Sequence, residues 1–215
     1  MKDFGIGLLY LEGLPPEYFD DFRDSIDFDA IDFREEQREN EPYAALEWMI
    51  PTVVALYVGK KFADALLKKA TDDIADTVYP KLKNGVAELA KKLLVTDRTR
   101  FGVVSSGEKK VTNAASTIFS VTAQTTGRHR AKFVFHDDSL SELEYEIAVD
   151  QIFATLEAHY READNDILSD TSPEYLRGGS VYLIFDKQSQ AWDLVNPIAE
   201  RLKQQAAHNQ KNAEQ

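Results

Sequence analysis

The strongest constraint on this fold is one apolar run, Trp48-Met-Ile-Pro-Thr-Val-Val-Ala-Leu-Tyr-Val-Gly59, fenced by Glu47 and by Lys60-Lys61. At about 1.5 Å of rise per residue, a dozen uncharged positions cover roughly 18 Å as a helix, against a hydrocarbon core of about 30 Å. The run is too short for an ordinary membrane span and too apolar for a loop. The expectation is a buried core helix, with Trp48, Ile50, Val54 and Leu56 inside the protein.

After Gly59 the apolar positions Phe62, Ala63, Leu66, Leu67, Ala70, Ile74, Val78, Leu82, Val86, Leu89 and Leu93 recur at spacings of three and four, with Lys and Asp between them. That period belongs to an amphipathic helix, so Tyr43 to Leu94 reads as a helical layer. Pro51 fits the first turn of a helix starting near Ile50, and Pro80 should kink or end a later segment near Tyr79.

Upstream, Phe4–Leu11 reads as a strand, Pro15-Pro16-Glu17 as a helix start, and Phe28–Phe33 as a second strand, with Arg34–Pro42 a charged connector. Downstream the pattern changes to short strands. Arg100–Ser105 and Ser116–Gln124 are β-rich, and Ala131–His136 pairs with the latter across Thr126-Gly127 as a hairpin. A helix follows over Leu140–Glu162, with a capping box expected at Ser139 and Glu142 and an apolar face of Leu143, Ile147, Ile152, Leu156 and Tyr160. Val181–Phe185 and Ala191–Val195 read as a second hairpin that turns inward Trp192 and exposes Asp186–Gln190. Asn196-Pro197 opens a last helix to about Ala207, and residues 208–215 form a polar tail expected to be disordered.

Composition narrows the class. The chain has 215 residues, 43% of them hydrophobic, enough to bury a sizeable core. There is no cysteine, which removes disulfides, thiolate nucleophiles and the common cysteine-bearing metal sites. The apolar stretch at the start is too brief for a secretory signal, which points to the cytoplasm. The net charge of −12 is segregated: residues 1–41 carry 4 basic and 13 acidic groups, residues 60–132 carry 15 and 7, and residues 137–174 carry 1 and 12. Such blocks either offer an acidic surface to a basic partner or compensate one another within the fold.

The run Ala44-Ala-Leu-Glu-Trp-Met-Ile-Pro-Thr, the following Lys60-Lys-Phe-Ala-Asp-Ala-Leu-Leu-Lys and the late Phe185-Asp-Lys-Gln-Ser-Gln-Ala-Trp-Asp-Leu together resemble a group of small uncharacterised bacterial proteins. In that group a Glu-Trp-Leu-Ile-Pro-like helix leads into a Lys- and Phe-bearing amphipathic helix. The chain differs at Ala70-Thr71-Asp72-Asp73, where the group carries Gly and His. The resemblance implies a bacterial cytoplasmic or membrane-associated protein, with no activity attached.

Candidate chemistry is sparse. His136, Asp137 and Asp138 follow a strand, where a histidine and carboxylates could bind metal or move protons with His129 as a third partner; the same residues suit a helix cap. Glu108 and Lys110, with Asp97, have the composition of a metal-dependent nuclease element, and Ser106 with Lys109 the spacing of a nucleophile pair, but Gly107-Glu108 is equally a turn. Arg98, Arg100, Lys109, Lys110, Arg128, Arg130 and Lys132 could gather phosphate, with Phe101 or His129 stacking on a base, although the acidic total opposes nucleic-acid binding. No nucleotide-binding glycine motif or zinc-protease helix occurs.

These observations point to a single α+β domain over residues 1–207, with a mainly antiparallel sheet of five to seven strands against a helical layer. The leading functional expectation is a non-enzymatic binding or regulatory protein that presents Glu142, Glu146, Asp150, Glu157 and Glu162 to a basic protein. A bacterial immunity or defence accessory role would suit that chemistry. A membrane-active effector that inserts the 48–58 helix comes second, and a metal-dependent hydrolase or nuclease third. No cofactor or metal is implied.

Overall fold

The computed structural model describes residues 5–11, 14, 16–26, 32–38, 54–58, 73–96, 119–127, 129–135, 140–162, 166–169 and 172–199. Among these, eight strands form one sheet: β1 (Ile6–Leu11), β2 (Phe33–Arg38), β3 (Val54–Val58), β4 (Phe119–Gln124), β5 (Arg130–Val134), β6 (Leu176–Arg177), β7 (Ser180–Asp186) and β8 (Ala191–Val195). The spatial order is β2-β1-β3-β4-β5-β7, and β7 also pairs with β6 and β8. Three helices are described, α1 (Asp20–Ser25), α2 (Asp73–Lys91) and α3 (Glu142–Tyr160), with a short 3-10 turn over Pro16–Phe19 before α1.

The α+β class holds, but the sheet is mixed rather than mainly antiparallel. Three pairs, β1 with β2, β3 with β4 and β5 with β7, run parallel. Each parallel pair is joined by a stretch of chain containing a helix, the connection that parallel strands require. Hairpin signals reveal only antiparallel neighbours, here β4 with β5 and β7 with β8. β1 and β3 are also antiparallel.

The apolar run supplies the main correction. Val54–Val58 is a strand between β1 and β4, not part of a helix, and Trp48 and Ile50 lie outside the described residues. Ala55, Leu56 and Val58 are all buried, so successive side chains on both faces are out of solvent. A strand covered on both faces loses the alternation that marks a half-buried one, and its uninterrupted apolar run is indistinguishable from a core helix by period.

On one face, Leu8, Leu56, Val121, Phe133 and Leu183 form a row across five strands, each the register partner of the next. All are buried in one cluster with Phe22 of α1, Leu82, Val86 and Leu89 of α2, and Ile152, Phe153 and Leu156 of α3. The helices therefore form a layer on this face. Ser120, Val134 and Ile184, on the other face, are buried as well.

Several boundaries move. β2 begins at Phe33 and takes in Arg34–Arg38, read above as connector; a strand at the end of the described sheet tolerates charge on its exposed side chains. α2 continues through Pro80 to Lys91 and closes in a wider turn over Lys92–Thr96, so of the two effects expected of Pro80, a kink or an end near Tyr79, it does not end the helix. Pro80 is exposed, so its ring and missing N–H fall on the solvent side. Of the α3 face, Ile152 and Leu156 are buried, Ile147 and Tyr160 partly so, but Leu143 is 64% exposed. The expected strand at 100–105, the helix beyond 199 and the tail at 208–215 lie outside the described residues.

Candidate functional site

Of the sequence-derived candidates, His136, Asp137, Asp138, Glu108, Lys110, Asp97, Ser106 and Lys109 lie outside the described residues, as do Arg98, Arg100, Phe101 and Arg128. Arg130 and Lys132 are two apart on β5 and share a face, where Lys132 Nζ stands 5.8 Å from the Tyr182 ring centroid. His129 Nε2 is 3.3 Å from the Leu168 carbonyl oxygen, so this histidine fastens the β4–β5 turn to the 166–169 segment.

Glu142, Glu146, Asp150 and Glu157 on α3, and Glu162 just past its end, are all exposed. The helix is capped two residues later than expected: Ser141 Oγ accepts from the Glu144 N–H, and the Glu144 side chain accepts from the Ser141 N–H at 2.6 Å. These bonds hold the Glu144 carboxyl below its ordinary range. Glu146 meets Lys91 Nζ at 3.0 Å and Asp150 meets Lys83 Nζ at 2.8 Å, both lysines projecting from α2, while Glu157 pairs with Arg161 at 2.7 Å. Part of the acidic block is thus balanced inside the helical layer by the basic block. Glu142 and Glu162, with the exposed Leu143, complete the outward face.

The densest polar arrangement was not visible in the sequence. At the C-terminal end of α3, His159 is 3% exposed; its Nδ1 lies 2.8 Å from Asp166 Oδ2, and its Nε2 lies 3.0 Å from Thr126 N and 3.1 Å from Thr126 Oγ1. Asp166 accepts further bonds from Leu168 N–H at 2.9 Å and from the Ser169 hydroxyl. Burial pushes the Asp166 carboxyl up, but the bonds from Ser169, His159 and Leu168 outweigh it and hold the group below its usual range. Nearby, the Tyr160 hydroxyl donates to the Gln124 carbonyl, and Thr125 Oγ1 donates to the His129 carbonyl at 2.7 Å. The one available signal was spacing: His159 falls three and seven residues after Leu156 and Ile152, on the buried stripe.

Carboxylate, imidazole and hydroxyl stand here in the order of a hydrolytic triad. The Thr126 N–H, however, points at the same Nε2 that would have to take the hydroxyl proton. A neutral imidazole has one lone pair, and an amide already occupies it. The cluster therefore fastens the end of α3, the β4–β5 turn and the 166–169 segment together.

A concavity of about 450 Å³ opens between α1 and α2 and is lined by Tyr18, Phe22, Gly85, Leu89 and Lys92 among others. Lys92 closes one side by pairing with Asp21 at 3.2 Å. Among the described residues no group of three or more His, Asp or Glu is placed to hold a metal ion, and no helix is long and apolar enough to cross a membrane. No family model, curated protein or solved structure matches the chain.

Proposed function

We propose that this protein is a non-enzymatic binding or regulatory protein of the bacterial cytoplasm, with the outward face of α3 as its docking surface for a basic protein, as an immunity or defence accessory factor would need. The observation that carries the reading is the outward face itself. Glu142, Glu146, Asp150, Glu157 and Glu162 are all exposed, and Leu143 stands among them with 64% of its surface in solvent. An exposed leucine beside carboxylates suits a partner carrying Lys or Arg around an apolar contact. In the ion pairs made by Glu146, Asp150 and Glu157 the carboxylates are about half exposed, while Lys91 and Lys83 are only 14% and 30% exposed; solvent-facing pairs are worth roughly 0–1 kcal/mol, so a partner's cations can compete for these carboxylates, most readily at Glu157.

Against the alternative of a membrane effector stands Val54–Val58, a strand hydrogen-bonded on both sides within the sheet; residues 48–53 of that run lie outside the described residues. The test is partner capture at low and high salt, with the wild-type chain and with Glu142→Lys, Glu157→Lys and Glu162→Lys combined. Capture that fades with salt and is lost in the variant supports the proposal. Capture indifferent to both rules out this face.

A further inference from the structure

We propose that His159 is a proton-operated latch on the β4–β5 turn: its neutral ring accepts from the Thr126 amide, and its protonated ring donates instead to Thr126 Oγ1. The inference is independent of the acidic-face reading and rests on the geometry at the two ring nitrogens.

Asp166 fixes one side of the ring. Its carboxylate is acceptor-only when ionised, and Leu168 N–H and the Ser169 hydroxyl already bind it, so the Nδ1 atom at 2.8 Å must carry a proton. The neutral ring then has its lone pair at Nε2. Two atoms of the same residue lie within bonding distance of that nitrogen, one of which can only donate and one of which can accept: Thr126 N at 3.0 Å and Thr126 Oγ1 at 3.1 Å. While Nε2 is a lone pair, the amide is its partner. Once Nε2 gains a proton, two N–H groups face each other, and the hydroxyl oxygen becomes the acceptor. The exchange needs no movement of Asp166, whose charge balances the imidazolium in either arrangement.

The other groups around the ring fit this account. From the turn, His129 is engaged with the Leu168 carbonyl. From α3, the Tyr160 ring packs 5.4 Å from the imidazole while its hydroxyl bonds Gln124. Glu157 and Arg161 pair with each other on the exposed side of α3, and Glu162 is exposed just past its end. Asp166 is thus the one charged side chain bonded to the ring among the described residues. Thr126 itself is exposed, so the change is presented at the surface.

The decisive measurement is a proton and nitrogen-15 NMR titration of the whole chain from pH 8 downward. The expected result is a neutral ring protonated at Nδ1 at pH 8. As His159 titrates, the Thr126 amide resonance should move upfield and its protection factor, taken against the intrinsic exchange rate at each pH, should fall about tenfold, the factor that loss of one net hydrogen bond gives. Thr126→Val keeps the amide and removes the acceptor of the protonated ring, so His159 should take up its proton at lower pH in that variant, and Thr126→Ser should restore the wild-type midpoint. An Nε2-protonated neutral ring, a Thr126 amide unmoved while His159 titrates, or a ring that stays neutral until the protein unfolds would each overturn the proposal. The wild-type titration alone decides between these outcomes if the valine variant does not fold.

Discussion

Single side chains carry much of the stability, and Trp192 is the clearest case. It is 3% exposed, lies edge-on to Phe133, Phe135 and Phe185 at centroid distances of 5.1, 5.4 and 5.5 Å, and its Nε1–H donates to the Ala148 carbonyl at 2.9 Å. It therefore ties β8 to α3 through both its ring and its nitrogen. Trp192→Ala should cost about 3–5 kcal/mol in urea unfolding, the usual range for truncating a buried aromatic. Trp192→Phe should cost less, since it loses the hydrogen bond and part of the ring but leaves an aromatic in place. Asp166 offers a pH signature. Its folded carboxyl is depressed, so its contribution to stability is present above the unfolded value of about 3.9 and is lost as pH falls through the folded one. Between pH 7 and about 4 the stability gap between the wild type and Asp166→Asn should widen as His159 becomes protonated beside the carboxylate, and it should narrow below about 4 as Asp166 itself is protonated. A gap that is constant across that range would show that the carboxylate charge contributes nothing.

At the level of elements, α1 and α2 meet at a point with no spare room. A Cβ built on Gly85 would overlap Ser25 Oγ and stand 3.0 Å from Ser25 Cβ, and that hydroxyl is already bonded to the Phe22 carbonyl at 2.7 Å. Alanine is the better helix former by about 1 kcal/mol, yet Gly85→Ala should destabilise the protein by about 1–3 kcal/mol because the helices must separate. Adding Ser25→Gly should recover most of the loss, as thermal melts of the two variants would show. What the sequence made legible follows from range of interaction. The hairpins, the Asn196 cap, whose Oδ1 accepts from Ile198 and Ala199 N–H, and the buried stripe of α3 were all readable, because each is written in residues a few positions apart. β3 was misread because burial on both faces erases its period. The His159 cluster was invisible because its partners lie 33 and 7 residues away along the chain, and no local pattern records a contact made across the fold. Leu143 falls in the first turn of α3 beside the Ser141 cap, which explains how a residue on the apparent apolar period can remain in solvent.

For the whole molecule, the main described core cluster runs from Ile6 to Trp192 and is shared by strands across the sheet and all three helices, with a small second cluster of Val134 and Ile184 on the opposite face. Unfolding should therefore be a single cooperative event, with tryptophan fluorescence and far-ultraviolet circular dichroism giving coincident denaturant midpoints. Separate midpoints would mean that the two halves of the sheet melt independently. The charge blocks serve this unity in part, since Lys83 and Lys91 of α2 hold Asp150 and Glu146 of α3. The strand order also divides the sheet by position in the sequence. β1, β2 and β3 come from the first 58 residues, and the remaining strands from residue 119 onward, with the β3–β4 pairing as the seam. During synthesis the first three strands leave the ribosome about 60 residues ahead of β4. Throughout that interval β3 offers a bare backbone edge with apolar side chains on both faces, an invitation to pair with another nascent chain. The speed of translation across the seam should thus influence how much of the protein escapes aggregation, and slowing it should lower the soluble yield.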